Sequence, residues 1–212
     1  MYKIKCMRNS MFNGIVEGTL KLLSKTLNNN SCVMEFERLV TLDDLKIGGS
    51  IAINGVCLTV TELTNDKFFA DIMPETLNVT ALGYLATGNA VNYERCLKLN
   101  ARIEGHLVKG HIDEIGVIEE IYDEGNAKII KVSISENIQP YLIKKGSIAI
   151  DGMSITIISV GNKYFTVGLI PHTVKNTVAR VYKAGTKVNL EVDDMAKYMW
   201  NFMQNNLLSK AG

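Results

Sequence analysis

The sequence predicts a mainly β protein: two copies of one small barrel followed by a helical tail. Three observations carry that expectation. Residues 49–60, GSIAINGVCLTV, and residues 146–157, GSIAIDGMSITI, agree at seven of twelve positions with an offset of 97. In both copies the segments between turn signals are short and rich in β-branched and aromatic residues. Past residue 194 the pattern changes to Met195, Tyr198, Met199, Phe202 and Met203, which is helical spacing.

The same offset carries Pro74 and Thr76 onto Pro171 and Thr173, Thr80 onto Thr177, and Glu94 onto Glu191. Near the start of each copy the offset is 96, Gly14 in MFNGIVE matching Gly110 in LVKGHID, so one residue is gained or lost in between. The chain divides into an extension at 1–10, a first barrel at 11–105, a second at 106–194 and a tail at 195–212. Each copy is large enough for a core of its own, unlike a solenoid unit.

Within each copy, SIAIN, CLTVTEL, KFFADIM and AVNYERC, with their partners SIAID, SITIISV, YFTVGLI and KVNLEV, read as strands. Gly48-Gly49, Asn54-Gly55, Thr64-Asn65-Asp66, Asp123-Glu124-Gly125 and Gly161-Asn162 separate them as turns. A closed barrel is favoured over a sandwich because closure leaves no strand edge to protect. Short helices are expected in VTLDDLK at 40–46, in its counterpart SENIQPYLIKK, and at 77–85 and 174–182. In the tail, Asp193 and Asp194 suit a helix start. Trp200 and Leu207 widen its apolar surface beyond one barrel's needs, leaving both self-packing and a subunit interface open.

Composition removes several function classes. Across 212 residues, Lys plus Arg is 23 and Asp plus Glu is 22, a net charge of +1, which gives no electrostatic pull toward nucleic acid or anionic membranes. No apolar stretch approaches the ~18 residues of a membrane span. MYKIKCMRNS has no apolar h-region, so a cytoplasmic protein is expected. Cys6, Cys32, Cys57 and Cys96 form no C-x-x-C pair, and His106 and His111, five apart in an extended segment, point to opposite faces, so neither a disulfide framework nor a metal site is expected. G-x-G-x-x-G, Walker, H-E-x-x-H and G-x-S-x-G patterns are absent, and no cofactor is expected.

In a duplicated chain the informative positions share a framework but differ in functional group. Cys57 and Ser154 occupy one register, each two residues after a shared glycine and two before a shared threonine; Glu75 is matched by His172, and His111 by Ile15. Spacing alone leaves Cys57 and Ser154 open between small core residues and reactive groups. Asn54-Gly55 and Asp151-Gly152 allow close backbone approach to a ligand, and Thr59, Thr76, Thr156 and Thr173 supply hydroxyls that can orient it.

MFNGIVEG at 11–18, NGVCLTV at 54–60, MPETL at 73–77, VNYER at 91–95, GHLVKGHID at 105–113, DGMSIT at 151–156, IPHT at 170–173 and VNLEVD at 188–193 together resemble the riboflavin synthase alpha chain family, from Met11 to about Met203. Two departures stand out: Glu104 where the family usually has glycine, and Asn13 where threonine is common. The resemblance implies two six-stranded Greek-key barrels, a C-terminal helix and a homotrimer, and leaves association with lumazine synthase open. It implies a cofactor-free dismutation of two 6,7-dimethyl-8-ribityllumazine molecules to riboflavin and 5-amino-6-ribitylaminouracil, with facing pockets supplied by the first barrel of one subunit and the second barrel of its neighbour.

Carried over by position, Gly14, Ile15, Val16, Cys57, Leu58, Thr59, Asp71, Ile72, Met73, Pro74, Glu75 and Thr76 would line the first pocket. Gly110, His111, Ile112, Ser154, Ile155, Thr156, Gly168, Leu169, Ile170, Pro171, His172 and Thr173 would line the second, with Lys145 near the shared site. Ser154 and His111 are the candidates for polarising the ring and moving protons, Cys57 for assisting addition at the acceptor, and Asp193 as an auxiliary group. The rival of the same fold is a non-catalytic lumazine- and flavin-binding antenna protein; GHLVKGHID, DGMSIT and IPHT weigh for the enzyme. A generic oligonucleotide-binding barrel is disfavoured by the charge balance.

Overall fold

The computed structural model describes residues 10–28 and 31–208. Residues 1–9 of the extension, with Cys6, and the Leu207 side chain lie outside the described residues. The first copy forms β1 (Gly18–Asn28), β2 (Ser31–Glu37), β3 (Ser50–Ile53), β4 (Val56–Leu63), β5 (Lys67–Ile72), α1 (Pro74–Val79) and β6 (Ala90–Arg95). The second forms β7 (Glu114–Glu124), β8 (Ala127–Ser133), β9 (Ser147–Ile150), β10 (Met153–Gly161), β11 (Tyr164–Leu169), α2 (Pro171–Asn176) and β12 (Lys187–Val192), and α3 (Asp194–Leu208) follows. The change of offset falls between β2 and β3, because β1 and β2 match β7 and β8 at 96 whereas every later pair matches at 97.

Each set of six closes into an antiparallel barrel, in the order β1-β2-β5-β4-β3-β6 and its equivalent in the second copy. β3, β4 and β5 are consecutive neighbours, and β6 returns to lie beside β3, the Greek-key connection. Register irregularities at Leu22/Ser24 and Val60/Glu62 recur at Ile118/Glu120 and Ile157/Ser159, bending matching strands at matching places so that each sheet closes. The alternation of β2 and β11 puts one side chain in two into the barrel. Phe36 stacks on Phe68 among Leu22, Met34, Ile51 and Val60 in the first core, while Phe165 packs with Ile118, Val132, Ile148 and Leu190 in the second. Burying each such side chain stabilises the fold by about 1.5–3 kcal/mol.

β6 and β12 break the alternation, with buried residues in succession. One face of each enters its own core, and the other meets the opposite copy through Asn92 and Asn189. The Asn189 amide donates to the Asn54 carbonyl at 2.8 Å and accepts from Ala81 N–H at 2.6 Å; reciprocally, Asn92 donates to the Asp151 carbonyl at 2.9 Å and accepts from Val178 N–H at 2.8 Å. The tight turns meet at the centre of this pseudo-twofold contact: a Cβ on Gly55 would sit 2.6 Å from the Gly152 nitrogen. Asp151, buried and bonded to the Tyr182 hydroxyl at 2.6 Å, has its carboxyl pushed up to about 7 by desolvation.

The helical expectations need correction. Residues 40–46 form turns, because Leu42 and Leu45 turn into the first core while the Arg38 guanidinium holds the Leu42 carbonyl. The counterpart shortens to one 3-10 turn, Gln139–Tyr141. The segments expected at 77–85 and 174–182 start earlier, at Pro74 and Pro171, where a missing N–H costs nothing. Each breaks at an extended threonine, Thr80 or Thr177, whose hydroxyl bonds the carbonyl four residues back before a short 3-10 turn follows.

α3 starts where the two aspartates suggest, with the Asp193 carboxylate accepting from Met195 N–H at 3.0 Å. Trp200 meets Tyr141 edge to face, but Met195, Tyr198, Met199, Phe202 and Met203 are 53–70% exposed, so self-packing leaves most of the stripe uncovered in the single chain. No helix among the described residues is long and apolar enough to cross a membrane.

Candidate functional site

Phe12 and Val108 form an antiparallel bridge between the segments that precede the two barrels, and pack with Ala52 and Ala149 into a small core between the copies. From that crossing each segment runs onto the barrel of the other copy. Ser154 N–H donates to the Gly14 carbonyl at 2.8 Å, and Cys57 N–H donates to the Gly110 carbonyl at 2.9 Å. Val16 packs against the second core and Ile112 against the first. Gly14, Ile15 and Val16 therefore belong with Ser154, and Gly110, His111 and Ile112 with Cys57, the reverse of the assignment by sequence order. Both glycines have left-handed backbones, φ 72° and 78°, and a Cβ on either would lie 2.6 Å from the Cβ of Ser154 or Cys57. Only glycine fits there.

Two glutamates hold these loops. The Glu94 carboxylate accepts from Asn13 N–H at 2.8 Å and Gly14 N–H at 3.1 Å, and Glu191 accepts from Lys109 N–H at 2.7 Å and Gly110 N–H at 2.8 Å. Burial outweighs the bonds and pushes both carboxyls up to about 7. Sequence reasoning aligned this pair without seeing its function. The available signal was a carboxylate shared by both copies amid the apolar residues of AVNYER and KVNLEV.

The two copies differ in what surrounds the reactive atom. The half-buried Ser154 hydroxyl lies 2.6 Å from His106 Nδ1. Burial lowers the imidazole pKa, partly opposed by Asp193, and Nε2 is buried with no partner among the described residues. A neutral imidazole accepting the serine proton at Nδ1 carries its own proton on Nε2. His111, the histidine favoured from sequence, is instead exposed on the Gly110 loop and makes no side-chain hydrogen bond among the described residues. His106 stands where the first copy has Ser10, a difference in functional group of the kind that marked Cys57 and Ser154. Around the half-buried Cys57, burial raises the thiol pKa against the opposing Ser50 and Ser10 hydroxyls. Ser10 Oγ bonds Ser50 Oγ at 2.6 Å, and a recess of about 480 Å³ opens beside Ser10, Ser50, Arg95 and Cys96.

The remaining expected residues sort by strand alternation. Thr59, Asp71 and Met73 are exposed on the outside of the first barrel, and Thr156 and Ile170 on the outside of the second, with Gly168 half-buried beside them, where a Cβ would meet Ile158 Cδ1 at 3.2 Å. Pro74, Glu75, Pro171 and His172 are exposed on α1 and α2, with Thr76 and Thr173 half-buried. Leu58, Ile72 and Leu169 point into the cores and offer the outer face main chain only, while Ile155 is half-buried against the second. Lys145 N–H bonds the Ile157 carbonyl at 2.8 Å, beside Thr156, at a left-handed φ of 68° where the first copy has Gly48 at 77°. A lysine held where glycine is conformationally cheaper points to a use for its side chain. Asp193 caps α3 and faces His106 electrostatically.

Comparison with known proteins agrees with the duplicated two-barrel fold. A lumazine-binding domain is recognised at residues 13–96 and again at 109–193. The chain is 41% identical over 193 residues to the riboflavin synthase of Actinobacillus pleuropneumoniae, covering 91% of this chain and 90% of that one. It is 38% identical over 195 residues to that of Bacillus subtilis, with the same two coverages. Among solved structures, LumP complexed with 6,7-dimethyl-8-(1'-D-ribityl) lumazine superposes with a TM-score of 0.77 at 22% identity, covering 85% of this chain and 98% of LumP, a likeness of fold. Two domain matches in the two barrels and near-full-length relatives above 35% identity place the chain in the lumazine-binding family of riboflavin synthases.

Proposed function

We propose that the protein is a riboflavin synthase: two molecules of 6,7-dimethyl-8-ribityllumazine react, a four-carbon unit passing from one to the other to give riboflavin and 5-amino-6-ribitylaminouracil. The reading rests on close relatives that are riboflavin synthases and, in this chain, on one observation: two equivalent backbone frames with unlike chemistry, Ser154 on His106 in one and Cys57 among hydroxyls in the other. Donor and acceptor are one compound, so a duplicated fold offers matching frames while the differing side chains assign the roles. Most of the acceleration comes from holding the two heterocycles in register.

In this scheme His106, kept neutral by burial, takes a proton through the Ser154 hydroxyl from the acidic C7 methyl of one lumazine. Cys57 assists addition at the other ring. Thr59, Thr156 and the exposed Lys145 orient polar groups on the barrel exteriors. His111, exposed on the Gly110 loop, contacts ligand at the Cys57 cleft and is not the base.

The assembly proposed is a cytoplasmic homotrimer in which the exposed face of α3 packs on its copies and brings a first barrel to a neighbour's second barrel. Met199→Asp with Tyr198→Asp should then yield monomers by sedimentation with turnover reduced at least tenfold; a trimer of undiminished activity contradicts it. Incubation with the lumazine as the sole addition tests the function itself. Riboflavin should appear, whereas lumazine retained unchanged identifies an antenna protein.

A further inference from the structure

The two barrels are filled differently at one end. In the first, Leu82 is fully buried, Leu77 packs on the core, and the Lys25 ammonium lies 2.6 Å from the Gly83 carbonyl with the Leu82 and Leu85 carbonyls at 3.4 and 3.5 Å, plugging the opening. The equivalent positions in the second barrel are Ala179, Val174 and Ile121, each smaller or shorter. Their place is taken by a cavity of about 360 Å³, walled by these three residues with Ile130, Leu169 and Tyr182. Cavities of this size hold small ligands.

The rim changes in concert with the interior. Cys32, Gly83 and Ala86 of the first copy correspond to Lys128, Arg180 and Lys183 of the second, and all three line the cavity. Lys128 is paired with Asp123 at 2.9 Å. The Arg180 guanidinium reaches only Thr19 Oγ1 and the Thr177 carbonyl, and among the described residues neither it nor Lys183 has a carboxylate partner. The second copy thus combines lost apolar volume with two cations at the opening that have no carboxylate partner, whereas in the first the leucines fill the volume and the one ammonium there is spent on three main-chain carbonyls.

We propose that the hollow end of the second barrel binds a short aliphatic carboxylate, its chain in the cavity and its head group between Arg180 and Lys183. Cations without a carboxylate partner favour an anionic head group, and a guanidinium matches a carboxylate in shape. The site is separate from the outer face that carries Ser154 and Thr156: Val174 lines it from the inner side of α2, the helix whose first turn carries His172 and Thr173.

Calorimetric titration of the purified protein with octanoate tests the proposal, with 1-octanol and octylamine as neutral and cationic comparisons. Octanoate should bind once per chain and at least tenfold more tightly than either. Arg180→Gly with Lys183→Ala, exposed positions that restore the first copy's residues, should weaken it at least tenfold. Ala179→Leu, which restores the first copy's filling, should abolish it while the variant's circular dichroism and melting stay those of a folded protein. Absence of octanoate binding to the parent, equal binding of octylamine, or octanoate binding unchanged in Ala179→Leu would each overturn the site.

Discussion

Gly14 and Ser154 belong to opposite copies of the repeat, yet the Gly14 carbonyl accepts the Ser154 N–H at 2.8 Å, and Gly110 does the same for Cys57 at 2.9 Å. The surroundings of Ser154 and of Cys57 are thus each built from both copies. The glycine that reaches across is held by a buried glutamate, so the position of the reactive side chain depends on a loop from the opposite half.

Gly14→Ala should damage the Ser154 cleft directly. Its added Cβ meets the Ser154 Cβ at 2.6 Å and main-chain nitrogen at 2.8 Å, in a left-handed backbone that costs an alanine about 1–2 kcal/mol before any clash. A melting temperature lower by roughly 4–8 °C follows for a loss of about 2 kcal/mol, with turnover falling further than stability accounts for. Calorimetry and initial rates on the same preparation check this; unchanged melting would show that the loop does not hold the observed register.

His106→Gln removes the proposed base while leaving Ser154 in place. It should lower kcat/KM by roughly 100-fold or more. Burial sets the imidazole below its ordinary value of 6.5, so the parent's acid limb lies below pH 6.5, where the ring takes up a proton. The variant should lose this acid limb, and Ser154→Ala combined with His106→Gln should cost little more than either alone. A full pH–rate profile separates this from a structural role, which would lower the rate without moving the limb.

Much of this was legible in the sequence. The offset of 97 gave the two barrels, and the shared threonines Thr59 and Thr156 were singled out as ligand-orienting hydroxyls, whereas Leu58, expected among the pocket residues, turns into the core. The crossing was not legible, because a repeat shows which residues correspond but not on which copy a loop packs. His106 was passed over for His111 for the same reason: neighbours in sequence, they lie on opposite sides of the Phe12–Val108 bridge, His106 N–H bonding the Asn13 carbonyl and Gly110 bonding Cys57. The 40–46 segment has helical spacing, but its two leucines are claimed by the barrel core, and tertiary burial overrides a short segment's preference.

Asn189→Ala should loosen the two barrels from each other. Fully buried, the side chain satisfies the Asn54 carbonyl and Ala81 N–H, and its loss strands both at about 1–3 kcal/mol each. Denaturant unfolding should become broader or biphasic as the halves uncouple. A single transition with unchanged midpoint would contradict the contact's role.

Glu94 and Glu191 impose a pH dependence on stability. Each carboxyl is raised from 4.5 to about 7 in the folded protein, so its stabilising contribution is complete below pH 4.5 and is lost as pH rises through 7, on the order of 2–3 kcal/mol each. Asp151, also raised to about 7, acts in the same sense, while His106, with its lowered pKa, destabilises the fold as pH falls below 6.5. Between pH 5 and 8 the melting temperature of Glu94→Gln with Glu191→Gln should therefore fall less than that of the parent. Parallel curves would refute the assignment.

The most direct measurement is the stoichiometry of the reaction with 6,7-dimethyl-8-ribityllumazine alone, followed by chromatography of substrate and both products. Two lumazines consumed for each riboflavin and each 5-amino-6-ribitylaminouracil formed, with Ser154→Ala at least 100-fold slower, is the predicted result. Lumazine bound and recovered unchanged, or riboflavin formed without the aminouracil, would contradict it.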